Sequence, residues 1–155
     1  MAIGGADYRD GANERLAEAG ILLRQGHFSG SVYLAGRAVE GMLRALVWKA
    51  DSEFATGKKP LNTGHDLREL LTLASNIGNL SNDPDYISMK TDIQKVARLW
   101  HNNMRYLPDR KLRDQCVKIG LIHKRQTLKK VSQDYFDACS WIIRKCEVIW
   151  NSKTN

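Results

Sequence analysis

The stretch SVYLAGRAVEGMLRALVWKA, residues 31–50, decides the fold. Its apolar residues recur three and four positions apart, which places them on one face of an α-helix. We predict a helix from about Gly30 to Lys49, with Ser29 as its N-terminal cap. The predicted core face consists of Val32, Ala35, Val39, Met42, Leu43 and Leu46.

The helical period continues on both sides of this stretch, without the alternation of a β-strand. A first helix is predicted from about Tyr8 to Gln25, and Gly26 suits the left-handed backbone that ends a helix. Further helices are predicted over about residues 65–76, 84–106 and 126–150. About five helices of these lengths predict an all-α fold, an antiparallel up-and-down bundle.

Length and composition predict a single domain over residues 1–155, with its core at about residues 8–150. The N-terminal sequence has no basic segment followed by an apolar run, so we expect no signal peptide. No apolar stretch approaches the roughly 20 residues of a membrane span, so we expect a cytoplasmic protein without a membrane partner. The three cysteines lie at no metal-ligand spacing and are predicted to be buried; neither a metal nor a cofactor is expected.

The last predicted helix has the widest apolar face of the chain. Besides its main stripe, Phe136, Ile143 and Trp150 form a second stripe with a spacing of seven residues. A helix that is apolar over so much of its circumference is either central in the bundle or shared with a partner. We therefore predict a homodimer.

The net charge of +7 is concentrated in one segment. Nine basic and two acidic residues lie between Arg105 and Lys130, so this segment alone carries +7 and the rest of the chain sums to zero. A short helix is predicted within it, over about residues 116–122. The concentration indicates either a surface for polyanions or a solvated connection between helices. The basic residues are Arg105, Arg110, Lys111, Arg113, Lys118, Lys124, Arg125, Lys129 and Lys130.

The stretch RLWHNNMRYLPD, residues 98–109, combines basic, amide and aromatic side chains. On a continuous helix, Arg98, His101 and Arg105 are stacked neighbours at the border between core and solvent. A guanidinium group can bind a phosphate through two parallel hydrogen bonds. A histidine between two such arginines can give a proton to a bound ligand or take one from it. The alternative is a solvated helix edge. We take His101 as the candidate catalytic residue, and as candidate phosphate-binding residues Arg98, Asn102, Arg105, Tyr106, Arg37 and Glu40.

A similar border stripe lies on the helix of residues 31–50, where Glu40 has an arginine three residues before it and four residues after it. Such pairs contribute only about 0.3 kcal/mol each when they are exposed. The stripe is interpreted either as a surface ladder of ion pairs or as a way to orient an arginine across a groove. Thr63 or Asp66 is expected to cap the helix that begins near His65.

Three segments in order resemble a HEPN domain: residues 31–50, GHDLRELL at 64–71 and HNNMRYLPD at 101–109. The resemblance spans about residues 8–150. It implies an all-α antiparallel bundle, often a homodimer, that binds nucleotides or RNA. Some members of the family are metal-independent ribonucleases, and others pair with small nucleotidyltransferases as toxin and antitoxin.

The ribonuclease motif of that family is an arginine followed four to six residues later by a histidine. This chain departs from it, because Arg98 precedes His101 by three residues. The departure favours binding of nucleotide or RNA phosphates without catalysis. Two alternatives stay open: a metal-independent ribonuclease using His101 with Arg98 and Arg105, and a helical scaffold for protein interactions. The scaffold is suggested by LLRQGHFSGSVYLAGRAVE, which resembles one tetratricopeptide unit, although no stacked repeats follow.

Overall fold

The computed structural model describes residues 1–56, 58, 61, 63–123 and 125–152. These residues form helices joined by short connections, and none of them lies in a strand, which confirms the all-α prediction. No helix in this part of the chain is long and apolar enough to cross a membrane. The α-helices are α1 (Gly5–Arg24), α2 (Phe28–Ala50), α3 (Ser52–Ala55), α4 (Leu67–Ile77), α5 (Tyr86–Leu99), α6 (Asp109–Lys118) and α7 (Leu128–Asn151). Two short 3-10 helices span Leu80–Asn82 and Asn102–Tyr106.

The four longest helices, α1, α2, α5 and α7, alternate in direction along the chain, as an up-and-down bundle requires. Ser31, near the start of α2, donates its hydroxyl to the carbonyl of Ala19 near the end of α1, at 2.8 Å. Lys145, near the end of α7, lies 2.6 Å from the carboxylate of Asp85, which directly precedes α5. Helix α2 packs against α1, α4, α5 and α7. It supplies the largest share of the core, as its apolar face predicts.

The N-terminus of α2 is capped from a distant part of the chain. The helix begins at Phe28, and Ser29 lies inside its first turn, so the predicted Ser29 cap is wrong. Instead, the carboxylate of Asp109 accepts hydrogen bonds from the backbone N–H of Ser29 at 2.7 Å and of Phe28 at 3.4 Å. A carboxylate at this place satisfies free donors and lies at the positive end of the helix dipole.

The predicted helix over residues 84–106 is wrong at its C-terminal end. Helix α5 ends at Leu99, because Trp100 and His101 both have extended backbone angles, with ψ of 132° and 145°. Leaving the helix lets the Trp100 indole enter the core, where its Nε1 donates to the carbonyl of Tyr33 at 3.1 Å. The ring packs over Gly36, where a side chain would overlap it. Tertiary packing therefore overrides the helical period here.

The basic segment folds differently from its predicted short helix over residues 116–122. Helix α6 begins directly after Pro108 and ends at Lys118, so the helix lies earlier in the chain. Its core contacts are Leu112 and Cys116, four residues apart on one face. Residues 57, 59, 60 and 62, which precede α4, and Lys124 of the basic segment lie outside the described residues.

The second apolar stripe of α7 packs within the chain. A Cβ at Gly20 of α1 would lie 3.2 Å from the Phe136 ring, and one at Gly5 would lie 3.2 Å from the Trp150 ring. Ile143 between them is buried. The two ends of the stripe from which the homodimer was predicted thus pack against α1, so the stripe is at least partly used within the chain. The homodimer itself stays a prediction.

Candidate polyanion-binding site

The centre of the candidate site is the carboxylate of Glu40, which is buried in the bundle with 2% of the residue exposed. Its Oε2 accepts a hydrogen bond from Nη1 of Arg37 at 2.7 Å, and its Oε1 accepts one from Nε of Arg44 at 3.0 Å. Nδ1 of His65 lies 3.0 Å from the same Oε1. We call these four residues the Glu40 cluster. A carboxylate so deeply buried requires such partners, so the interpretation as an exposed surface ladder is wrong.

The segment GHD, residues 64–66, brings His65 to the cluster. Gly64 adopts the left-handed conformation with φ of 56°, and its carbonyl accepts a hydrogen bond from Arg44. Asp66 then caps α4, as one of the two predicted alternatives: its Oδ1 accepts from the backbone N–H of Arg68 at 2.8 Å and of Glu69 at 3.3 Å. The turn, the histidine and the cap thus have separate roles, and together they fix the ring of His65 against α2.

Aromatic rings surround the Glu40 cluster. The Trp100 ring lies 6.5 Å from the ring of Tyr33 and is nearly parallel to it. The same indole lies 6.4 Å from the imidazole of His65, with the two ring planes at 73°. The guanidinium carbon of Arg44 lies 5.9 Å from the centre of the Tyr8 ring, within cation–π distance. These contacts hold the charged groups beside flat apolar surfaces.

Two grooves meet at His65. The α4–α5 groove, of about 660 Å³, lies between the start of α4 and the end of α5. The α1–α2 groove, of about 620 Å³, lies on the other side of the cluster. The polar side chains that line the α4–α5 groove are those of His65, Asp66, Arg68, Arg98, His101, Asn102, Asn103 and Gln115. The α1–α2 groove is lined by Tyr8, Arg15, Tyr33, Arg37, Arg44 and His65, among others.

The predicted stack of Arg98, His101 and Arg105 does not exist, because the helix ends before His101. Nη2 of Arg98 donates to the carbonyl of Ile119 at 2.9 Å, which ties it to the end of α6. Nδ1 of His101 accepts from the backbone N–H of the residue two positions later. The guanidinium of Arg105 lies 4.8 Å from the ring centre of the exposed Tyr106.

The structure divides the predicted site residues into three groups. Arg98, His101 and Asn102 line the α4–α5 groove. Arg37 and Glu40 belong to the α1–α2 groove. Arg105 and Tyr106 line neither of these two grooves. The sequence interpretation missed His65, the residue that joins the grooves, although its position beside a capping Asp66 in GHDLRELL was a usable signal.

The basic segment contributes exposed charge next to the α4–α5 groove. A smaller groove of about 400 Å³, lined by Lys111, Asp114 and Lys118 of α6, shares His101 and Asn103 with it. Of the two acids that oppose these charges in the sequence, Asp109 is occupied with the N-terminus of α2, and Asp114 is exposed on α6. The exposed basic side chains of α6 are those of Arg110, Lys111, Arg113 and Lys118.

No protein-family model, curated protein or solved structure matches this chain. The HEPN resemblance therefore stays a prediction from the three motifs. Within the described ranges, no group of three or more His, Cys, Asp and Glu residues could hold a metal ion.

Proposed function

We propose that this protein is a HEPN-like module that binds nucleotide or single-stranded RNA phosphates through its two grooves, without catalysis. The observation that carries the proposal is that His65 lines both grooves, so that their basic linings are continuous. Arg68 and Arg98 lie on one side of it, and Arg15 and Arg37 on the other. A continuous basic track beside aromatic rings is how proteins bind single-stranded nucleic acid of any sequence.

The geometry supports binding more than the ribonuclease alternative. Metal-free cleavage of RNA needs an acid and a base placed around one phosphate. Arg105 lies over Tyr106 outside both grooves, so it does not assist His101 as the alternative requires, and only Arg98 of the two arginines lines the groove of His101. Binding needs only that the cations face the same track.

The proposal is tested by the salt dependence of binding. If about four phosphates are neutralised, log affinity for a single-stranded RNA falls with log salt at a slope of about −3. Arg68→Ala or Arg98→Ala should make that slope less steep by about 0.7, the contribution of one phosphate. Arg144→Ala is the matched control, because Arg144 is exposed on α7 and lines neither groove. Its slope should equal that of the wild type.

Three outcomes separate the candidate functions. Binding with the expected slope and intact RNA supports the proposal. Cleavage of the RNA in EDTA, lost in His101→Ala, would establish the ribonuclease instead. If neither RNA nor nucleotides bind at low salt, the protein-interaction scaffold remains and the two grooves have another role.

The proposal has three further parts: a homodimer and a small nucleotidyltransferase partner in a toxin–antitoxin pair, which the resemblance implies, and a cytoplasmic location, which the sequence predicts. Light scattering at micromolar concentration tests the first, since a dimer has twice the mass of the 17.6 kDa chain. Co-expression with a small nucleotidyltransferase encoded beside the chain tests the second. A complex that survives gel filtration supports the pair, and two separate peaks contradict it.

A further inference from the structure

The imidazole of His65 has one occupied and one free nitrogen. Nδ1 lies 3.0 Å from Oε1 of Glu40 and 3.1 Å from Nη1 of Arg37. Nε2 has no hydrogen-bond partner among the described residues, and the side chain is 45% exposed at the junction of the two grooves. The free nitrogen is therefore the part of the cluster that a ligand can reach.

The two contacts of Nδ1 exclude each other. In one neutral tautomer Nδ1 carries the proton and donates to Glu40, and in the other it accepts from Arg37. A protonated ring has a hydrogen on both nitrogens, so only the bond to Glu40 survives and Nε2 becomes a donor. Arg37 keeps its bond to Oε2 of Glu40 and has a second N–H of Nη1 available for a ligand.

The net charge of the Glu40 cluster couples protonation of His65 to the binding of an anion. Glu40 carries one negative charge, while Arg37 and Arg44 carry two positive charges, so the bare cluster already has an excess of +1. Adding a proton to His65 raises the excess to +2, which is unfavourable in a partly buried place. A phosphate group in the junction supplies the missing negative charge and favours the protonated ring.

We infer that a phosphate of the ligand binds the protonated imidazole of His65 through Nε2, with Glu40 as the residue that positions the ring. The inference rests on the proposed function and extends it: it names the contact residue and the chemical class, a singly charged phosphodiester. Binding then takes up a proton and strengthens as the pH falls. The second N–H of Nη1 on Arg37 is the neighbouring donor to the same phosphate.

The groups that face His65 from other elements do not couple proton uptake to phosphate binding in the same way. The arginines around it stay charged at every pH of interest. Asp66 is occupied with the backbone of α4, and Nδ1 of His101 accepts a hydrogen bond from the backbone of Asn103. The facing groups are Tyr33, Arg37, Glu40 and Arg44 of α2, Asp66 and Arg68 at the start of α4, Arg98 and His101 at the end of α5, and Asp7, Tyr8 and Arg15 of α1 across the groove.

Calorimetry on the wild type tests the proton directly. The probe is an oligouridylate of about eight nucleotides without terminal phosphates, because its charge is constant between weakly acidic and weakly basic pH. Titrations near neutral pH in two buffers of different ionisation enthalpy give the number of protons bound with the RNA. We expect a fractional uptake that reaches at most about half a proton for a tenfold rise in affinity, within the pH range in which histidine titrates, and that falls again at lower pH, where the free protein already carries the proton. Binding without proton uptake would overturn the inference and leave the proposed function intact.

Two matched variants locate the proton. Wild-type affinity should rise about tenfold between about pH 8 and pH 5.5, the range over which histidine gains its charge. His65→Gln should lose this rise while it retains binding at the higher pH. His101→Gln should keep the rise, because His101 lines the same groove but has no contact with Glu40.

The failures are distinguishable. If His65→Gln keeps the tenfold rise, the proton is bound elsewhere and the inference is wrong, although RNA binding stands. If the wild type binds no oligouridylate at either pH, both the inference and the proposed function are rejected. Circular dichroism of each variant checks that it is folded, and the wild-type calorimetry does not depend on any variant.

Discussion

The Trp100 indole occupies the space that a Cβ on Gly36 would need, so a glycine of α2 determines where α5 ends. The ring enters this space only because the chain leaves the helix at Trp100, and Nε1 is then bonded to the Tyr33 carbonyl. The same departure places His101 in the lining of the α4–α5 groove. One missing side chain on α2 therefore shapes the candidate site.

Gly36→Ala should destabilise the protein. The added methyl group overlaps the Trp100 ring, and overpacking of this kind costs about 1–3 kcal/mol, more than the gain of about 1 kcal/mol in helix propensity. Gly11→Ala is the control, because a Cβ there meets no atom within 4 Å, and it should stabilise the protein slightly. Urea unfolding measures both. Equal effects of the two substitutions would show that Trp100 moves aside without cost.

Asp109→Ala should lower the unfolding free energy by about 1–2 kcal/mol, because it removes the acceptor at the N-terminus of α2. Asp114→Ala, on the exposed side of the same helix α6, removes the same charge without that contact and should change stability by less than about 0.5 kcal/mol. Thermal unfolding of both variants at the same salt concentration makes the comparison. A loss in the control as large as in Asp109→Ala would assign the effect to net charge.

The cysteines should not react with a thiol reagent in the native protein. All three are buried, and burial raises the pKa of Cys116 to about 11 and that of Cys146 to about 12. The thiolate is the reactive form, so at about pH 8 only a very small fraction is available even if the reagent enters. We expect less than one thiol to react within minutes in buffer and all three in denaturant. Rapid native reaction of one thiol would mean that the core opens locally.

The ion pair between α1 and α7 should make stability depend on pH in the acid range. Burial raises the pKa of Glu147, but the hydrogen bonds from Arg9 and Asn13 outweigh this effect and leave the pKa below its ordinary value. A lowered pKa contributes stability above the unfolded-state value of about 4.3, and this stability is lost as the pH falls through the folded-state value. Glu147→Gln should therefore cost about 1 kcal/mol at neutral pH and progressively less below about pH 4. A cost that is constant with pH would contradict the role of the charge.

The sequence predicted the helices well where a helix has one apolar face, because the period depends on local spacing. The prediction of a helix from about Gly30 to Lys49 needed nothing beyond this pattern, and α2 confirms it within two residues at each end. The same method failed at Trp100, where the apolar period continues to Met104 but the indole packs over Gly36 because the chain leaves the helix. That gain depends on a residue 64 positions earlier, which no local pattern contains.

The candidate site was predicted less well than the fold. The spacing placed Glu40 between two arginines, but its burial depends on the turn at Gly64 that brings His65 against α2. The cap on α2 could not be predicted from the sequence either, because Asp109 lies 80 residues from Ser29. In the sequence, Asp109 was interpreted only as an acid among the charges of the basic segment. Polar residues that contact each other across the bundle show no regular spacing in the sequence. Their partners therefore become visible only in the three-dimensional structure.

The buried pair of Glu40 and Arg44 should show strong coupling in a double-mutant cycle. Glu40→Gln leaves two guanidinium groups without their carboxylate, and Arg44→Gln leaves a buried carboxylate with one arginine fewer; each should cost about 3 kcal/mol. The double variant should cost clearly less than the sum, with a coupling of about 1–3 kcal/mol. The exposed pair of Lys130 and Asp134 on α7, with an N–O distance of 2.6 Å, is the control, and its coupling should be much smaller. Urea unfolding of the seven proteins, the shared wild type and three variants per pair, measures both cycles. Equal coupling in the two cycles would mean that the cluster is solvated in solution, and the positioning role of Glu40 toward His65 would then lose its physical basis.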